Sequence, residues 1–208
     1  MKKLHYRVLS LALLSVLAAC STPGASAPVA AQREHGAPAD PVVATAANAT
    51  FGAVGMGDEM FPTFGNGGYD VERYDLAFAL DAVDGPIDAS ATITARAEHE
   101  LSRFNLDFHG LEIKTIQVDA STAMFAREGD ELVITPSHAI AAGATFRTVV
   151  VYGGVPQAVA DPSIPVEKLG WLPSDGELYV FSEPNGAKTF FPCNDHPRDK
   201  ALYTLRIT

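Results

Sequence analysis

Nineteen residues near the carboxyl end, SEPNGAKTFFPCNDHPRDK (182–200), gather the side chains most capable of chemistry. Cys193, Asp195, His196 and Asp199 could ligate a metal with Glu183 upstream, and Cys193 with His196 could form a thiolate–imidazole pair oriented by Asp195 or Asp199. Each reading needs more than residue types. A structural zinc usually takes four ligands, mostly Cys and His in close pairs, and here one Cys and one His stand without a second pair. Pro192 and Pro197 bracket an extended or turning segment, whose side chains need not converge on one point. After Phe190-Phe191-Pro192, Cys193 is expected to be buried and inert. Asp195, Arg198, Asp199 and Lys200 are expected to form a local, exposed charge network around the proline turn.

Two further stretches imitate functional motifs. His99-Glu100-Leu101-Ser102-Arg103 begins like the zinc motif H-E-x-x-H, but its fifth position is Arg and it lies between runs of strand periodicity. Along a strand, i and i+4 are about 13 Å apart, too far for one metal. Gly52, Gly55 and Gly57 resemble a dinucleotide loop, yet neither a strand before nor a helix after is expected. Trp171, Tyr179, Phe190, Phe191 and Tyr203 could form a sugar-stacking face; core filling is the simpler role for aromatics in a small β domain.

The elements that must position these residues are strands. Tyr74, Leu76, Phe78 and Leu80 alternate with Asp75, Ala77, Ala79 and Asp81, and Ala91, Ile93, Ala95 and Ala97 alternate with polar residues. Further strands are expected at 104–108, 113–118, 123–126, 132–135, 145–152, 178–181 and 202–207. Arg127-Glu128-Gly129-Asp130-Glu131 supplies the Gly and Asp of a hairpin turn. No window shows an amphipathic helix, so the expected fold is all-β, an antiparallel saddle-shaped sandwich over residues 68–208. The last strand reaches Thr208 without a turn or cap, and the chain reads as the front of a longer protein.

Residues 1–19 begin with Lys2, Lys3 and Arg7 and continue into an apolar run too short to span a bilayer as a mature helix. Leu17-Ala18-Ala19-Cys20 is the small-residue pattern cut by lipoprotein signal peptidase, which makes Cys20 the expected lipidation site and membrane anchor. Ser21 follows it, as in lipoproteins sorted to the outer membrane, so the expected location is the cell envelope, facing the periplasm. Residues 20–67, rich in Ala, Pro, Gly, Ser and Thr, read as a flexible tether. The formal charge of -10 becomes more negative once the basic leader is removed, which argues against a nucleic-acid partner. With Cys20 lipidated, Cys193 has no cysteine left to pair with, which excludes a disulfide scaffold.

Residues 182–208 carry a resemblance. Glu183-Pro184-Asn185-Gly186-Ala187-Lys188-Thr189-Phe190-Phe191-Pro192-Cys193-Asn194-Asp195-His196-Pro197, then Lys200-Ala201 and Tyr203, resembles the end of the amino-terminal domain of the aminopeptidase N family of zinc metallopeptidases. The family pattern there is approximately E-A-x-D-A-R-x-x-F-P-C-x-D-E-P-x-x-K-A-x-F. Upstream, GYDVERYDL, LDFHGLEI, REGDELVITP and AGATFRTVVVYGGVP fall where that domain has strands. The resemblance implies a β domain packed on a downstream catalytic domain that carries G-x-M-E-N and the zinc motif; neither motif occurs in these 208 residues. Zinc is thus implied for the parent enzyme and not for this chain, which by itself would be inactive. The resemblance also implies that Glu183 binds the α-ammonium of a peptide substrate. Phe181, Asn185-Gly186 and His196 depart from the family pattern. The alternative is a non-catalytic envelope lipoprotein whose β domain is a binding or packing module.

Overall fold

The computed structural model describes residues 50–162 and 164–208; the leader, Cys20 and the tether up to residue 49 lie outside the described residues. The strands in chain order are β1 (Tyr69–Leu80), β2 (Ile87–Ala97), β3 (Phe104–Asp107), β4 (Glu112–Val118), β5 (Ser121–Thr122), β6 (Met124–Glu128), β7 (Glu131–Thr135), β8 (Thr145–Gly154), β9 (Gly170–Ser174), β10 (Glu177–Phe181) and β11 (Leu202–Ile207). Among the described residues the one other regular element is a 3-10 turn at Ala187–Thr189.

Strand alternation builds the main layer. Six strands run in the order β11-β1-β2-β8-β4-β5. On one face β1 buries Tyr74, Leu76 and Phe78, β2 buries Ile87, Ala91 and Ile93, and β8 buries Phe146, Val150 and Tyr152. A register shift between Val71 and Arg73 marks a bulge in β1. It resets the alternation, so Tyr69 and Val71 also face inward. The second layer is the three-stranded sheet β3-β7-β6, which contributes Phe104, Leu106, Leu132 and Ile134. The layers meet through aromatic edges: Phe104 lies 5.2 Å from Phe146 and 5.8 Å from Tyr69, centroid to centroid. The sheets are not closed into a barrel, and the architecture is the all-β sandwich expected from periodicity.

Three features depart from the sequence reading. First, β11 pairs parallel to β1, from Arg73 opposite Leu202 to Phe78 opposite Ile207. Periodicity reports which face a strand buries and is silent on its direction. Second, β9 and β5 were not expected. The β9–β10 hairpin turns on Asp175-Gly176, both with positive φ (54° and 81°), as a two-residue type I′ turn requires. Third, the boundary between tether and domain at 67/68 falls inside a packed segment. The Gly52 amide donates to the Arg103 carbonyl at 2.8 Å, Ala53 and Gly67 exchange backbone hydrogen bonds, and Asn66 is fully buried. Residues 50–67 form a strap on the β body despite their low-complexity look, because their hold is mostly backbone and therefore nearly independent of side-chain hydrophobicity.

Candidate functional site

The Pro192–Pro197 loop is drawn inward by hydrogen bonds to distant strands. Cys193 and Asp107, at the end of β3, exchange both backbone hydrogen bonds at 2.7 and 3.0 Å. The Asn194 amide donates to the Tyr74 hydroxyl at 2.9 Å, and its side chain accepts from the Asn66 N–H at 2.5 Å while donating to the Asn66 carbonyl and to Asp199. Asn66 in turn donates to Asp107 Oδ2 at 3.2 Å. Cys193 is 2% exposed, and burial pushes its thiol well above the usual range, with Asp195 and Asp107 adding to the effect. It is inert as a nucleophile in this setting.

The exposed charge network expected here is corrected by the structure. Asp195 and Asp199 are buried, and their carboxylates serve backbone amides. Asp199 Oδ1 accepts from Val71 N–H at 3.1 Å, and Asp195 Oδ2 from Lys188 N–H at 3.1 Å. Arg198 reaches instead to Asp58 on the strap, 3.2 Å away, and His196 Nε2 lies 3.4 Å from the same carboxylate. Docking on β1 and on the 3-10 turn brings unpaired amides against these acids, and a buried amide needs an acceptor more than a surface lysine needs a counter-ion. Burial raises Asp195 to about 7 and Asp107 and Asp199 to about 6. Among the described residues, no three His, Cys, Asp or Glu side chains are arranged to hold a metal.

Glu183 is placed differently. It follows β10 and is exposed at the side of a groove of about 1140 Å³, whose walls include Met60, Phe181, Pro184, Phe191 and Tyr203. No hydrogen bond or ion pair reaches its carboxylate among the described residues. The 3-10 turn that follows has Gly186 at its N-cap position and no side-chain cap. Glu183 is thus not serving as a turn cap. The backbone around it is anchored: the Gly186 amide donates to the Ser182 carbonyl at 2.6 Å, and the Lys188 carbonyl accepts from His109 N–H at 2.8 Å. Lys188 Nζ lies 2.9 Å from Asp130 Oδ2, whose other oxygen is 2.6 Å from His109 Nδ1. An open carboxylate on an anchored turn beside an apolar groove can bind a cation on a molecule that enters the groove.

The remaining candidates separate by environment. His99 lies in a bend with Nε2 3.4 Å from the Phe51 carbonyl, and Leu101 bridges to Ile140, so no helix presents this stretch. Gly52–Gly57 belongs to the strap, with isolated bridges from Val54 and Gly55 to Asn66. Trp171, Phe190 and Phe191 are core, while Tyr179 and Tyr203 are about half exposed. Sequence reasoning missed Asn66, Asp107 and Lys188. Their partners lie up to 128 residues away, and no local pattern signals such pairs.

Comparison with solved structures gives the arrangement a context. No family model matches the chain. An M1 zinc metallopeptidase from Deinococcus radiodurans is 32% identical with a TM-score of 0.65 over 71% of this chain. A mutant of that enzyme bound to a Tyr-Ser-Ala substrate gives the same values. A two-domain M1 zinc metallopeptidase mutant bound to L-arginine, also 32% identical, has a TM-score of 0.66. The match covers 34% of each of these chains, so the present chain corresponds to about a third of their length.

Proposed function

We infer, on the premise that this β domain is an M1 aminopeptidase amino-terminal domain, that it completes the substrate site of an exported zinc aminopeptidase. Glu183 binds the α-ammonium of the peptide and thereby measures one residue to the scissile bond. The zinc and the water-activating groups belong to a catalytic domain of the same polypeptide, packed against this one. The observation that carries the reading is the position of Glu183: unpartnered, exposed, beside the groove, and at the acidic position of the family pattern. Supporting it, Phe181, Leu202, Tyr203, Leu205 and Ile207 are each at least 41% exposed. So much exposed apolar area suits a packing partner.

The test uses the complete enzyme. Glu183→Ala is expected to lower kcat/KM for peptides with a free amino terminus by about 10- to 100-fold, the loss of one charge-assisted hydrogen bond. Glu183→Gln, which keeps an acceptor without the charge, should fall between. Unchanged kinetics in Glu183→Ala would refute the assignment.

A further inference from the structure

Beneath the Glu183 turn lies an acid whose chemistry is otherwise unused. Asp195 is 8% exposed, and its own N–H is donated to Asp107 Oδ2 at 2.9 Å, which fixes it to the end of β3. Its carboxylate faces the 3-10 turn, where Oδ2 accepts Lys188 N–H at 3.1 Å. The Lys188 amide comes just after Glu183-Pro184-Asn185-Gly186, and the Gly186–Ser182 hydrogen bond closes that loop onto β10. Glu183 therefore lies between two fixed points, β10 upstream and the Asp195 carboxylate downstream. No other side chain among the described residues bonds to the amides of this turn. Lys188 Nζ is directed to Asp130 and the Lys188 carbonyl to His109, so those contacts hold the far side.

We propose that Asp195 is a positioning residue for substrate recognition: by accepting the Lys188 amide, with its own N–H held by Asp107, it holds the 182–189 turn so that the Glu183 carboxylate meets the peptide ammonium. The proposal rests on the assignment of Glu183 made above. Removing the acceptor leaves the Lys188 amide unpaired beneath the turn, and the turn relaxes toward other partners or water. Asn at this position keeps one acceptor oxygen and should preserve the turn. Displacements of about 1 Å at a positioning group can cost up to about 100-fold, so a milder shift of a flexible carboxylate should cost about tenfold.

A double-mutant cycle in the complete enzyme tests this, with kcat and KM measured on a peptide bearing a free amino terminus. Asp195→Ala should raise KM about tenfold with kcat changed less than about threefold, and Asp195→Asn should restore most of the loss. In a Glu183→Ala background, Asp195→Ala should have no further effect on KM, because its action runs through the carboxylate already removed. A purely structural role would instead reduce the folded fraction, lowering apparent kcat at constant KM. If Asp195→Ala does not fold, Asp195→Ser carries the same comparison. Glu183→Ala impaired with Asp195→Ala normal overturns the proposal alone, as does a full Asp195→Ala effect on KM in the Glu183→Ala background. Normal kinetics in Glu183→Ala overturns the underlying assignment and the proposal with it.

Discussion

Four carboxylic acids share the interior beneath the Pro192–Pro197 loop, and their protonation ties stability to pH. Burial raises Glu131 and Asp195 to about 7, with Asp107 adding to both, and raises Asp107 and Asp199 to about 6. Between the ordinary carboxylate range and these values the folded state binds more protons than the unfolded one. Their contribution to stability is complete at acid pH and is lost as pH rises through about 6 to 7. Asp130 works in the opposite sense: burial pushes it up, but hydrogen bonds from His109 and Lys188 hold it below the usual range. Its contribution is present above its unfolded value and lost as pH falls. Glu131 Oε2 and Asn66 Oδ1 both lack a hydrogen-bond donor. The amide introduced by Glu131→Gln supplies a donor and no titratable group. We expect Glu131→Gln to flatten the fall in Tm between about pH 4.5 and about pH 7, and an unchanged slope would rule Glu131 out as a source. Cys193 gives a second check: a thiol reagent should label it only as the fold opens, so fast native-state labelling would contradict its burial. The types of these residues are legible in the chain; their burial is not, because it depends on amides delivered by β1, the 3-10 turn and the Asn66 side chain of the strap.

At the scale of elements, strand existence was the most legible property. The runs at 74–80, 91–97, 104–108, 113–118 and 145–152 each coincide with a strand, because a half-buried strand writes its two faces into alternate positions. The hairpin at Gly129-Asp130 was also readable. The Asp175-Gly176 turn carries the same signal, but Trp171-Leu172-Pro173 does not alternate, so periodicity gives no sign of β9. This neglected strand matters to the site. Gly170 has φ +104°, and a Cβ there would lie 2.0 Å from Thr189 Oγ1, so β9 abuts the turn that follows Glu183. We expect Gly170→Ala to destabilise the protein by about 2–5 kcal/mol through backbone strain and overpacking. A denaturation midpoint corresponding to a loss below about 1 kcal/mol would show that the turn yields easily.

At the scale of the whole molecule, β11 is the outermost strand of the main sheet, with Leu202, Leu205 and Ile207 more than half exposed. Such an edge invites pairing or cover, in keeping with a chain that corresponds to about a third of its two-domain relatives. The proposed anchor belongs to this scale too: Cys20→Ser is expected to release the protein from membranes, and continued retention in the membrane fraction would refute lipidation at that residue. By itself the sequence determined the all-β class, most strands, the inert Cys193 and the likeness that singles out Glu183. These are local or linear properties, readable from neighbours one to four positions apart. Tertiary structure alone decided the parallel docking of β11, the packing of residues 50–67 as a strap, and the burial of Asp195 and Asp199. Each depends on which backbone amides and carbonyls meet across tens of residues of intervening chain, and no spacing pattern encodes that. The stretch 182–200 looked like a metal site because its polar side chains are close in sequence. In space Cys193, Asn194, Asp195, His196 and Asp199 turn inward, several of them to satisfy the backbone, while the Glu183 carboxylate stays exposed beside the groove.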